Sequence, residues 1–344
     1  IRIATSAAAA FYAGGFIKDI TYIVCRMVRL SIKQGLTSQT PFWFSCYAMV
    51  LFPMNELEDA FKYSNLALEL KKNLSVYEIR SSYVIYCYIF PWRKHIRHSL
   101  DPLLEIYHSG FEVGDVEYAL LSIAYYYHYI FFCGNNLNNI EQEIESINDS
   151  TKQLNMTTAN NYLAILQQVI HNLVENVQDP TSISGEKYDA AVMLEKYKQT
   201  NDTMSVFLVS LFSAQLAYLF GKIDKAKAEI DKAKKYLIAA SGGMYHFAVY
   251  YFYRSLIILS KYPGSSSLPK NSLKKVEFYN SKLKYWSEYA SMNFSHKHFL
   301  VSAEIARIKG DVVTAESMYE KAISVASENE FLQEDAIAQR EEEN

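Results

Sequence analysis

Ala303-Glu304-Ile305-Ala306-Arg307-Ile308-Lys309-Gly310-Asp311-Val312-Val313-Thr314-Ala315-Glu316-Ser317-Met318-Tyr319-Glu320-Lys321-Ala322 decides the fold. Ala303, Ala306 and Ile308 precede the turn Lys309-Gly310-Asp311, and Ala315, Tyr319 and Ala322 follow it at intervals of three and four. That spacing places them on one face of a helix. Two helices joined by a glycine turn and carrying alanines inside can approach closely, with the tyrosine as a plug for the next unit.

The same unit recurs upstream. Ala214, Ala217 and Leu219 precede Gly221-Lys222-Ile223-Asp224, and Ala226, Ile230 and Ala233 follow. Ala48 and Leu51 lead to Asn55-Glu56, then Ala60, Ser64 and Ala67. Ala8 and Phe11 lead to Gly15, then Ile20, Val24 and Met27. With a further turn at Gly134, the turns fall at 15, 55, 134, 221 and 310. These intervals read as one, two, two and two periods of about 40 to 44 residues, against about 34 for the tetratricopeptide repeat. Pro91-Trp92 and Lys261-Tyr262-Pro263 mark intervening turns. The expectation is an all-α, tetratricopeptide-like α-solenoid of about eight helix pairs. It is one superhelix over 1–344, weakly interrupted near 179–186 and 263–272.

Composition agrees. The 344 residues include only 12 glycines and 7 prolines, while Tyr 28, Phe 19 and Trp 3 make 15% aromatic. Average usage of glycine plus proline is about 12%, so folds rich in tight turns or phosphate loops are disfavoured. A net charge of −3 offers no basic field for nucleic acid. Tyr118–Ile140 and Thr203–Gly221 lack acidic and basic residues, but His128, Gln215 and an asparagine run argue for buried helices over membrane insertion. Cys25, Cys46, Cys87 and Cys133 lie far apart in apolar runs and read as buried thiols of a reducing, cytoplasmic compartment. The chain opens at Ile1 with no initiator Met, which reads as a cut inside a longer protein.

Catalytic motifs fail at identifiable residues. Around Gly221-Lys222, Leu216 and Ile223 stand where a phosphate loop needs glycine and Ser/Thr. Asn201-Asp202-Thr203-Met204-Ser205 begins like a magnesium-diphosphate element of terpene synthases, but Val209 replaces the required Glu. His296 and His298 sit two apart and do not share a helix face. His128, within Tyr125–Tyr129, reads as a core histidine bonded to a tyrosine. Trp92-Arg93-Lys94-His95-Ile96-Arg97-His98 reads as a solvated turn and helix start, or as a site for an anion or acidic peptide. Lys222–Lys235 reads as an amphipathic outer helix buried through Ala226, Ile230, Ala233 and Leu237.

Pro91–Leu100 (PWRKHIRHSL) resembles the HWREHLRESL element in the helical region of very large signalling proteins. Those proteins join a Ser/Thr kinase-like domain, a STAND-type ATPase, a tetratricopeptide-like array, a GAF domain and a sensor histidine kinase. Ser109–Asp115, Tyr125–Gly134, Asn293–Lys297, Ala303–Gly310 and Glu328–Glu334 continue the resemblance in order. It covers roughly 40–340, with Pro91 and His298 as departures, and the asparagine-rich loops resemble the fungal hybrid histidine kinases.

The resemblance implies a non-catalytic scaffold and relay segment between the ATPase and the GAF/histidine-kinase part. No cofactor is expected in this segment, ATP and magnesium belonging to the parent protein's other domains. The implied partners are the flanking domains of the same chain and phosphorelay proteins, without nucleic acid or membrane insertion. A homo-oligomer through the parent protein is compatible with this. Resemblance and charge-aromatic clustering nominate Trp92, Arg93, His95, Arg97, Asn293, His296 and Lys297 as an interaction surface. The alternative is a stand-alone tetratricopeptide adaptor that binds extended peptides in its groove.

Overall fold

The computed structural model describes residues 4, 16–70, 75–154, 156–185, 187–262 and 269–343. The turn at Gly15, with Ala8 and Phe11, and most of the 263–272 interruption lie outside these residues. Wherever apolar residues recur at three and four, the described chain is helical. The first half contains α1 (Ile17–Gln34), α2 (Thr40–Leu51), α3 (Leu57–Glu69), α4 (Val76–Val84), α5 (Leu100–Glu112), α6 (Val116–Phe132), α7 (Leu137–Thr151) and α8 (Thr157–Val174). Beyond an irregular stretch through 179–185 come α9 (Ala190–Gln199), α10 (Thr203–Leu219), α11 (Ile223–Tyr236) and α12 (Tyr245–Leu259). Then follow α13 (Lys270–Tyr289), α14 (Ser291–Lys309), α15 (Val312–Glu328) and α16 (Leu332–Glu343). Among the described residues there is no strand, only an isolated bridge between Ser184 and Asp189.

Left-handed turn residues set the rhythm. Gly35 and Asn55, Gly114 and Gly134, Asn201 and Gly221, and Gly310 and Glu330 have positive φ, each pair twenty residues apart. A helix of 12 to 17 residues fits between the members of each pair. Several turns lead into an aspartate cap: Asp202 accepts the Ser205 N–H at 3.0 Å and Asp311 the Thr314 N–H at 3.1 Å. The turns expected at Asn55, Gly134, Gly221 and Gly310 are one of each pair, but the close hairpin next to Gly134 is the one across Gly114. α6 packs along α5, across the turn at Gly114, and meets α7 across Gly134 only weakly. The reason is local: a Cβ on Gly110 would lie 2.8 Å from the Ala119 Cβ, so α5 and α6 touch almost backbone to backbone.

Two kinds of helix result. α11 buries only Ala226, Ile230 and Ala233, and α7 only Ile140, Ile144 and Thr151. These are outer helices with one apolar stripe. By contrast, α10 buries every residue from Met204 to Tyr218, and α12 all but Phe247. Such helices are enclosed on every side. No helix is long and apolar enough to cross a membrane among the described residues. Cys46, Cys87 and Cys133 are buried, but Cys25 is exposed, because it lies on the outward face of the marginal helix α1.

Candidate functional site

Pro91 has no N–H to continue a helix, and the chain around it is irregular. α4 runs into a π-helical turn at Ile85–Ile89, then short 3-10 turns at Phe90–Trp92 and Ile96–Ser99. Pro91, Trp92, Ile96 and Ser99 of this segment are buried, so the backbone groups that go in with them need partners. Asn293, at the start of α14 and wholly buried, supplies them. Its Oδ1 accepts the Ile96 N–H at 3.1 Å. Its Nδ2 donates to the carbonyls of Pro91 at 2.6 Å and Lys94 at 2.7 Å. Beside it the Trp92 ring stacks on Phe294 at 4.9 Å and meets Trp286 edge-on at 5.0 Å. The Trp92 indole N–H donates to the Gly243 carbonyl.

The next residues reach the turn that leads into the C-terminal helix. His95 Nδ1 accepts the Arg97 N–H at 3.1 Å, so Nε2 carries the proton and donates to the Asn329 carbonyl at 3.1 Å. Arg97 pairs with the Glu330 carboxylate and donates to the Cys133 carbonyl at 3.3 Å. Phe331 lies between two histidines, 5.1 Å from the His95 ring and stacked on His296 at 4.6 Å. Beneath it, Lys297 Nζ lies 2.6 Å from Glu334 Oε1 and donates to His296 Nε2 at 2.8 Å. Phe331, Phe252 and Tyr245 surround that ammonium with centroids at 4.9, 5.5 and 5.7 Å. Further along α16, Gln333 donates to the Phe132 carbonyl and Arg340 to the Leu219 carbonyl at 3.4 Å. α16 thereby covers carbonyls at the C-terminal ends of α6 and α10.

The two nominated strings, some two hundred residues apart, therefore meet in one junction. Four of the seven nominated residues are buried and not on the surface, Trp92, Asn293 and Lys297 being 0% exposed and His296 2%, whereas Arg93 is exposed and His95 and Arg97 are half-buried. Aromatic bulk and polar groups at a helix break are what a buried joint needs, and in sequence they resemble a surface cluster. Arg93 stands apart, with its guanidinium 4.8 Å from the Phe61 ring and 3.4 Å from Glu58. Burial lowers the pKa of His296, and the Lys297 charge lowers it further. Burial likewise lowers Lys297, against the pull of Glu334, and lowers His95. His296 Nδ1, Glu334 Oε2 and Gln333 Oε1 are buried without a hydrogen-bond partner among the described residues.

A second buried pair involves a residue the sequence reading passed over. His128 Nδ1 lies 2.7 Å from His246 Nε2, and His128 Nε2 meets the Tyr162 backbone carbonyl at 3.2 Å. His128 is thus a core histidine as expected, but its partners are a histidine and a backbone oxygen, with no tyrosine hydroxyl. Desolvation lowers its pKa to about 4. Only the tertiary fold brings His246 to it, across 118 residues. Elsewhere, a cavity of about 430 Å³ opens among α1, α2, α4, α6, α8 and α10, lined by Val24, Phe42, Cys46, Tyr118 and Met204. None of the nominated residues reaches it. Among the described residues no three His, Cys, Asp or Glu side chains gather as metal ligands.

The junction holds donors, acceptors and the buried Lys297–Glu334 ion pair, an arrangement that fastens helices together. No family model matches the chain, and a search of curated proteins finds no relative.

Proposed function

We propose that this chain is a non-catalytic scaffold and relay, a tetratricopeptide-like α-solenoid of about eight helix pairs in a cytoplasmic hybrid histidine kinase. It would set the placement of that protein's ATPase and histidine-kinase domains, which would hold the ATP and magnesium. The observation that carries this reading is the junction itself. Asn293 ties α14, and His95 through the Asn329 carbonyl ties the turn before α16, to a segment some two hundred residues upstream, while the Lys297–Glu334 pair fastens α16 to α14. A helix fastened in this way moves with the body, so a displacement at one end is passed to the other.

The adaptor alternative receives less support. An extended peptide needs a continuous exposed stripe on the inner helices, and α10 is buried from Met204 to Tyr218 and α12 at every residue but Phe247, so that only local grooves are open there.

Two measurements test the reading. The purified chain, incubated with labelled ATP and magnesium, should take up no label and release no phosphate; turnover would end the scaffold reading. In the parent kinase, Lys297→Met should change autophosphorylation. Unchanged output from a variant whose circular dichroism shows it folded would end the relay reading.

A further inference from the structure

A groove of about 400 Å³ runs across α12 between α11 and α13. Its rims carry Lys234, from α11, and Lys274 and Lys275, from α13. All three are exposed, and none has a carboxylate partner among the described residues. Other lysines of α11 do: Lys227 pairs with Asp231 and Lys232 with Glu229. Phe278, 52% exposed, and Tyr251 form apolar walls.

Tyr250 lies in the floor. It is 1% exposed, and its hydroxyl is buried with no hydrogen-bond partner. Such a hydroxyl carries an unrecovered desolvation cost in the free protein. Below it the Arg254 guanidinium lies 5.7 Å from the Tyr250 ring centroid, donates to the Tyr279 hydroxyl at 3.0 Å and pairs with Asp231. Asp231 is thus shared between Arg254 and Lys227, which leaves the lysines of the rim uncompensated. The groove combines a positive field, flat apolar walls and a spare hydroxyl donor.

We infer that this groove binds a small aromatic anion, an aryl phosphate. The ring lies against Phe278 and Tyr251, and the phosphate lies among Lys234, Lys274, Lys275 and the Tyr250 hydroxyl. Charge-assisted hydrogen bonds from three ammonium groups favour the phosphate, and stacking favours the ring. The inference is independent of the proposed relay.

Titration calorimetry on the whole chain, with phenyl phosphate as probe and inorganic phosphate and phenol as controls, tests it. Phenyl phosphate should bind saturably and at least tenfold more tightly than either control, with affinity falling as salt rises. Tyr250→Phe keeps the ring and should weaken binding about tenfold, the loss expected of one hydrogen bond to a charged group. Lys274→Gln with Lys275→Gln, at exposed positions with little bearing on folding, should weaken it further and flatten the salt dependence. Three results would each overturn the inference: no saturable binding at millimolar probe, equal binding of inorganic phosphate, or unchanged affinity in both variants.

Discussion

Lys297 and Glu334 form an ion pair that water does not reach. Nζ and Oε1 are 2.6 Å apart, with side chains 0% and 6% exposed. Three aromatic rings replace solvent around the ammonium. Lys297→Met alone leaves the Glu334 carboxylate buried and uncompensated, at a cost of about 3–5 kcal/mol. Adding Glu334→Leu removes the stranded charge and should restore most of that loss. Urea unfolding of the two single variants and the double variant measures the coupling. Additive single losses would show that the pair does not act as a unit.

Asn293→Ala should cost at least about 3 kcal/mol, because the Pro91 and Lys94 carbonyls and the Ile96 N–H all lose their partner inside the core. Hydrogen exchange should then quicken at Ile96, whose N–H Asn293 accepts, before it does in α10. Unchanged exchange at Ile96 would mean that another group holds the segment.

Stability should fall with acid in a defined window. His128 has a folded pKa of about 4, below its ordinary 6.5. Between those values the unfolded chain binds more protons, so stability rises with pH. The His128 contribution is complete above about pH 6.5 and is lost as pH falls towards 4. Its size is about 3 kcal/mol, at about 1.4 kcal/mol per pH unit. His128→Asn should flatten the pH dependence of urea midpoints in that window, and a slope equal to wild type would refute the assignment.

Turn glycines should not be equivalent. At Gly221 a Cβ meets open space, so Gly221→Ala should cost only about 1 kcal/mol for its positive φ. At Gly243 a Cβ would fall inside contact distance of the Tyr88 carbonyl oxygen. Overpacking of this kind adds about 1–3 kcal/mol. Thermal melting of the two variants should therefore separate them clearly, with Gly243→Ala the lower.

Thiol labelling should find one fast cysteine in the native chain and four after denaturation. Cys25 is exposed. Burial pushes the Cys133 thiol up to about 12 and raises Cys46 and Cys87, so these stay protonated and unreactive. A second fast thiol would indicate an opening of the core.

Much of this was legible in the chain itself. The turns at Asn55, Gly134, Gly221 and Gly310 were visible because glycine or asparagine stood between two patterned helices. Their counterparts at Asn201 and Glu330 were not, since Asn201 opens a string compared with a metal-binding element and a glutamate gives no turn signal. Glu330 adopts φ 59° under the hold of Arg97, a long-range cause. Both halves of the junction were singled out, but as surface.

By itself, then, the sequence determined that the chain is helical, where several helices turn, and which face of α11 points inward, because these depend on neighbours three and four residues away. Only the tertiary structure decided that Trp92, Asn293 and Lys297 lie inside, that His246 meets His128, and that α16 folds back onto α14. Those outcomes depend on which distant surfaces exclude water from one another, and no local pattern encodes a contact between residues two hundred positions apart.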